Sequence, residues 1–207
     1  MAHAEPAVLC LVPTEMELSR LRQYLTPDVA AHLELRLCGF GLVAAGVQSC
    51  HLMSKTRCDA AILAGIAGAY NESLNVGTAY AFDTVGVDGI GVGEGAGFVS
   101  SNKLGWNESG PDQYALETRG LPNAGMLLSV TSASADATMA ERRAGCTALP
   151  VAEDMEGYAV AMSAAQVRMP LTIARGISNR VGDRDFDHWS VDQALQSVAG
   201  LIAAFVA

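Results

Sequence analysis

Residues 7–25 read AVLCLVPTEMELSRLRQYL, and this stretch decides the fold. Ala7–Val12 is an unbroken apolar run of strand length, as a strand buried on both faces requires. From Glu15 the period changes. Met16, Leu18, Leu21 and Leu25 are apolar, with Glu, Arg and Gln between them, which places one apolar face on a helix over Glu15–Tyr24. A strand followed directly by an amphipathic helix begins an α/β chain, and the remaining sequence repeats the alternation. Leu33–Cys38, Ala60–Leu63, Gly77–Val87, Met126–Thr131 and Leu171–Ile177 read as strands. Leu42–Ser54, Ala135–Arg142, Met155–Gln166 and Val191–Val206 read as helices. The pattern predicts an α/β sandwich with a parallel or mixed sheet. The stretch 86–122 is rich in Gly, Asn and Ser and poor in periodicity, and reads as an excursion serving as a lid or an oligomer contact.

The length of 207 residues predicts a single domain over 1–207. Hydrophobic residues make up 50% and charged residues 17%, which excludes a disordered chain. The net charge of −9 repels nucleic acid and anionic membrane surfaces, so neither is expected as a partner. No apolar run approaches the ~20 residues of a membrane span. The N-terminus lacks a basic region before its short apolar run, so a cytoplasmic location is expected rather than export. The cysteines (Cys10, Cys38, Cys50, Cys58, Cys146) are odd in number and lack C-x-x-C spacing, as buried free thiols would be. The four histidines are scattered, and neither a metal site nor a cofactor is expected.

In an α/β sheet, ligands bind beyond the carboxyl ends of strands. The clusters at those places are PTEME (13–17), GFG (39–41), GIAGA (65–69), TSAS (131–134), EDME (153–156) and SNRVGDRD (178–185). Residues 39–44, GFGLVA, imitate a dinucleotide fingerprint. Asp59, twenty residues on, precedes a strand rather than ending one, so the match reads as a tight strand-to-helix turn.

The succession PTEME, GFGLVAAG, AGIAG, DMEGYAVA and RGISNRVGDRD resembles the nucleoside phosphorylase and nucleosidase superfamily, and within it looks most like the futalosine hydrolases. The resemblance spans Val8 to the C-terminal helix. It implies a three-layer αβα sandwich around a mixed, twisted sheet and cleavage of a purine N-glycosidic bond without cofactor or metal. It implies that Glu156 binds the ribose hydroxyls with Met155 packing the sugar, and that Glu17 activates water. Ala67 and Gly68 allow close approach of the ligand, and Ala133 and Ser134 line the purine. On this reading Glu153 is a surface acid and Asp154 complements the helix macrodipole.

Asn179 stands where nucleosidases of adenine nucleosides carry aspartate. An amide NH₂ has two donors, and a 6-oxopurine such as hypoxanthine shows two acceptors, N7 and O6, on one edge. The departure points to a 6-oxopurine base. The amide transfers no proton outright, and Asp183 is a candidate helper. Phosphorylases of the superfamily hold phosphate with groups at the positions of Leu63 and Ile66, and neither side chain can do so. Water is therefore the implied nucleophile, with Arg20 and Arg36 the alternative phosphate holders. Futalosine carries a benzoate tail, and Trp189 with Arg184, or Arg180, is positioned to meet it. The resemblance also implies a homodimer or higher homo-oligomer, with Trp106 a candidate to reach a neighbour's pocket. The alternatives are another purine nucleosidase (inosine or methylthioadenosine type), a nucleoside phosphorylase, or a non-catalytic nucleoside binder.

Overall fold

The first strand, β1 (Val8–Val12), is buried along its whole length, and its side chains serve two separate cores. Leu9 and Leu11 face one, while Val8, Cys10 and Val12 face the other. This period of two is how a strand divides its residues between opposite faces. The computed structural model describes residues 7–93, 97–106, 108, 110–145 and 149–207. Cys146 lies outside them.

After β1 come α1 (Glu15–Tyr24), the short α2 (Pro27–Ala30), β2 (Leu33–Leu37), α3 (Gly41–Lys55) and β3 (Ala60–Ala69). The middle of the chain forms β4 (Ala79–Phe82), β5 (Thr84–Val87), β6 (Gly91–Val92), β7 (Val99–Ser100) and β8 (Gln113–Ala115). Then follow β9 (Met126–Ser129), α4 (Ala137–Ala144), β10 (Ala152–Asp154), α5 (Gly157–Val167), β11 (Leu171–Arg180) and α6 (Val191–Val206). Helices α3 and α5 cover one face of the sheet and α1 and α6 the other. This is the expected αβα sandwich. Helix α6 contributes Leu195, Val198 and Ile202, all fully buried, each worth about 1.5–3 kcal/mol. Among the described residues, no helix is long and apolar enough to cross a membrane.

The sheet is mixed and it forks. The first half of β3 runs parallel to β1, pairing Ala60–Leu63 with Val8–Leu11. Its far end pairs antiparallel with β10, Gly68 with Glu153 and Ala69 with Ala152. On its other side β3 runs along β11 for nearly its whole length. Between the two partners, among the described residues, 64–67 have no strand paired on that edge, and the backbone there is open to other groups.

Three sequence expectations are corrected. The strand Ala60–Leu63 does not stop at the Gly-rich segment but continues to Ala69. The strand Gly77–Val87 is two strands separated at Asp83, because β4 joins β11 while β5 joins β9. The helix placed over Met155–Gln166 starts at Gly157 and is preceded by β10. Within the 86–122 excursion, β6 pairs with β7 and β8 extends the sheet beside β5.

Candidate active site

Ten of the residues singled out from the sequence for substrate or catalysis line one cavity at the fork. Glu17, Ala67, Gly68, Ala133, Ser134, Met155, Glu156, Asn179, Arg184 and Trp189 all border a space of about 310 Å³. That is at the small end of the range for ligand pockets, and its walls are mostly apolar with a few convergent polar groups.

Glu17 is not an exposed first-turn acid; it is buried. Thr14 caps α1 in a capping box, which turns the Glu17 carboxylate back toward the sheet. Oε2 accepts from the Thr14 N–H at 3.1 Å and its hydroxyl at 2.6 Å. Oε1 accepts from the Ile66 N–H at 3.0 Å, in the open stretch of β3. The gap in the ladder is thus filled by a carboxylate.

Glu156 is the N-cap of α5 and is also buried. Its Oε1 accepts from the Gly41 N–H at 3.0 Å, and Arg175 Nη2 reaches Oε2 at 3.1 Å. The GFG turn therefore has a use that the fingerprint comparison missed. Gly39 and Gly41 both have positive φ, which lets the chain turn so that Gly41 presents its N–H to Glu156 and Phe40 borders the cavity.

Arg175, in the middle of β11, is the functional candidate that the sequence reading overlooked. It is completely buried and donates to Asp154 as well as to Glu156. Among the described residues, its Nη1 has no hydrogen-bond partner. A Cβ added to Gly65 would lie 2.4 Å from that nitrogen and 2.7 Å from Glu17 Oε1, so both groups converge on the face that glycine leaves bare. The signal was a lone cation inside an apolar strand, which is nearly always paired. Burial pulls the Arg175 guanidinium down, but Asp154, Glu156 and Glu17 together outweigh it and raise it, so it remains charged. Burial pushes the Glu156 carboxyl up to about 7, with Arg175 opposing and the Asp154 charge reinforcing the rise. Three buried carboxylates around one guanidinium leave negative charge in excess.

Asp154 does complement the helix, accepting from the Gly157 N–H at 2.9 Å. Glu153, in contrast, is no surface acid. It is buried and bound by Ser134, Tyr70 and Arg143.

Asn179 borders the cavity with its amide engaged on both sides. Oδ1 accepts from the Ser178 hydroxyl at 2.7 Å, and Nδ2 donates to the Arg180 carbonyl at 2.8 Å. Among the described residues, the second hydrogen has only the Asp183 carbonyl, at 3.5 Å. These carbonyls accept only, which fixes the amide's orientation. One amide hydrogen is thus spent on the Arg180 carbonyl, against the expectation that both are free for a base. Asp183 is also no proton helper. Its carboxylate binds the Asp185 N–H and the His188 ring, each at 3.0 Å, which hold it below its ordinary value.

At the mouth, Arg184 lies 5.2 Å from the Trp189 ring centroid and 5.8 Å from that of Phe186. Arg180 is directed elsewhere, to the carbonyls of Asn71 and Leu74 and to Glu72. Leu63 is core and Ile66 borders the cavity with an aliphatic side chain. Arg20 and Arg36 pair with Asp192 and Glu34 and lie outside the lining. Trp106 is half exposed, and neither it nor any other described residue of 86–122 borders the cavity. Burial pushes the Cys10 and Cys38 thiols up to about 12, as inert core thiols require. Among the described residues, no cluster of potential metal ligands occurs.

A family model described as the phosphorylase superfamily matches residues 35–207. The chain belongs to the phosphorylase superfamily. Within this superfamily it is 27% identical to the futalosine hydrolase of Streptomyces coelicolor, over 79% of this chain and 77% of that protein. Its fold matches the 5′-methylthioadenosine/S-adenosylhomocysteine nucleosidase of Neisseria meningitidis in complex with methylthio-immucillin-A. There the TM-score is 0.74 and the identity 19%, over 96% of this chain and 97% of that one. The corresponding Helicobacter pylori nucleosidase with butyl-thio-DADMe-Immucillin-A gives a TM-score of 0.79 at 11% identity, covering 98% of each chain. These likenesses establish the nucleoside phosphorylase fold.

Proposed function

We propose that this superfamily member is a purine N-glycosyl hydrolase acting on futalosine, releasing hypoxanthine and dehypoxanthine futalosine in the route to menaquinone. The observation that carries the reading is the meeting of Glu17 and Arg175 Nη1 on the face that Gly65 leaves bare, with Glu17, Glu156 and Asn179 bordering one cavity. The 27% identical relative that bears the name futalosine hydrolase supports it.

The chemistry follows from the charges. Breaking the glycosidic bond makes the sugar cationic and the base anionic, and groups placed where charge develops supply the largest share of catalysis. Glu156 accepts from the ribose hydroxyls and its charge favours the oxocarbenium-like sugar. Glu17 takes a proton from water as the oxygen bonds to the anomeric carbon and the bond to the base nitrogen breaks. Its carboxylate is aimed by Thr14 and Ile66. Arg175 offers an N–H beside it. The remaining Asn179 hydrogen is donated to the N7 and O6 edge of the departing base, which takes its proton from solvent. At the positions of Leu63 and Ile66 there is nothing to hold phosphate, which supports water as the nucleophile. Arg184, stacked beside Trp189, supplies a cation for a carboxylate tail. The exposed strip of Phe40, Val43 and Val47 adjoins the cavity through Phe40 and supports a homo-oligomer.

The reading is tested by incubating the enzyme with futalosine, aminofutalosine, inosine and methylthioadenosine. Futalosine is the preferred substrate on this account. Preferential release of adenine from methylthioadenosine would make the enzyme a methylthioadenosine-type nucleosidase instead.

A further inference from the structure

Arg184, the cation at the mouth of the cavity, stands in acidic company. Asp183 and Asp185 are its chain neighbours, and Asp187 follows two residues on. Three carboxylates around one guanidinium repel an anion, and either neighbour is near enough along the chain to claim the guanidinium for itself. Neither does. Among the described residues, Arg184 forms no ion pair and lies instead over the rings of Trp189 and Phe186, whose centroids are 4.7 Å apart.

The two neighbouring acids are occupied by His188. Its Nδ1 stands 3.0 Å from Asp183 Oδ2 and its Nε2 3.7 Å from Asp185 Oδ2, so each ring nitrogen faces a carboxylate. The backbone produces this arrangement. Phe186–His188 is a single 3-10 turn capped by Asp185, whose Oδ1 accepts the Asp187 N–H at 3.1 Å. Asp183 Oδ1 accepts the Asp185 N–H at 3.0 Å, and the Asp183 carbonyl accepts from Trp189 Nε1 at 3.1 Å. The turn carries His188 back over both acids, outside the cavity, while Arg184, Phe186 and Trp189 border it. A carboxylate accepts only, and an imidazolium has a donor on each nitrogen, so the two acids and the ring are complementary. The hydrogen bond to Asp183 and the charges of Asp183 and Asp185 raise His188 above its ordinary value. The Asp185 N–H and the His188 ring in turn hold Asp183 below its own.

We propose that His188 is a positioning residue for tail recognition, which takes up the Asp183 and Asp185 carboxylates and so leaves Arg184 open to an anionic 5′ substituent of the substrate. The proposal rests on the reading of the site as one for a nucleoside with a carboxylate tail. Without the imidazole, two carboxylates compete with the tail for one guanidinium. The groups involved are exposed and screened by solvent, so the effect is moderate. It falls on binding and not on turnover, because His188 does not border the cavity that holds Glu17 and Glu156.

The test measures KM and kcat for futalosine, its methyl ester and inosine in wild type, His188→Ala and His188→Asn. His188 is exposed, so neither substitution disturbs the core. His188→Ala raises KM for futalosine about three- to fivefold, with kcat unmoved. KM for the ester and for inosine stays where it was, since neither carries the anion. His188→Asn, which keeps a donor for Asp183, falls between the alanine variant and wild type. An unchanged KM for futalosine overturns the proposal. So does an equal rise for the methyl ester, which marks a lost loop shape rather than a lost charge balance, and so does an asparagine variant no better than alanine. Failure of the underlying reading looks different. Wild type then releases no hypoxanthine from futalosine, or has the same KM for futalosine and its ester, and either result removes this proposal with it.

Discussion

Glu156 gives the pH dependence a definite sign and size. Its carboxyl is raised from 4.5 to about 7 by burial, with Arg175 opposing and Asp154 adding. One pKa unit corresponds to about 1.36 kcal/mol, so ionising Glu156 in the empty site costs about 3 kcal/mol relative to the unfolded chain. Between pH 4.5 and 7 the folded protein holds a proton that the unfolded chain has lost. Its contribution to stability is therefore full below 4.5 and is lost as the pH rises through 7. On the proposed function binding runs the other way, because the ribose hydroxyls then donate to the ionised form. The perturbation is thus pH itself, and the assay is kcat/KM for hypoxanthine release from pH 5 to 9, since kcat/KM reports the groups of the free enzyme. The expected profile climbs about one decade per unit on its acid side and levels off near pH 7. Glu156→Gln removes that limb while leaving the protein more stable than wild type above pH 7. An acid limb centred at the ordinary carboxylate value, or a flat profile, refutes the reasoning.

Other substitutions test the rest of the site. Gly65→Ala places a methyl group within 2.7 Å of Glu17 Oε1 and closer still to Arg175 Nη1. Displacing a catalytic group by about 1 Å costs roughly 10²-fold, so kcat falls by that order while circular dichroism and chromatography show a folded protein. Arg175→Met leaves Asp154 and Glu156 buried without their cation and lowers unfolding free energy by about 3–5 kcal/mol in denaturant titrations. Arg184→Ala raises KM for futalosine roughly tenfold while that for inosine stays put, because only the tail touches it. An unchanged KM for futalosine removes Arg184 from the tail site.

The parts of this architecture legible in the sequence are those governed by local period. The runs at β1, α1 and α6 repeat their apolar residues at the spacing their surroundings require, so their limits were readable to within a residue. The division of Gly77–Val87 at Asp83 was not readable, because each half is apolar and only its partner, β11 or β9, distinguishes them. The three residues of β10 were hidden against the following helix, since pairing with Gly68 and Leu128 is a long-range property. The site shows the same contrast. Glu17, Glu156 and Asn179 stood out as polar residues after strands. Glu153 passed for a surface acid because Tyr70, 83 residues away, and Arg143 on α4 bury it from outside its own segment. Arg175, within RGISN, is a guanidinium flanked by Ala174 and Gly176 in a strand, which demands buried carboxylates. Which carboxylates these are depends on the fork in the sheet.

The measurement closest to the central claim is hypoxanthine release from futalosine in phosphate-free buffer by wild type and by Glu17→Gln. Turnover by wild type without phosphate, and a loss of about 10²–10⁴-fold in kcat with little change in KM for the variant, are predicted for a carboxylate that deprotonates water. Release that begins only when phosphate is added, or a Glu17→Gln enzyme as fast as wild type, would contradict it.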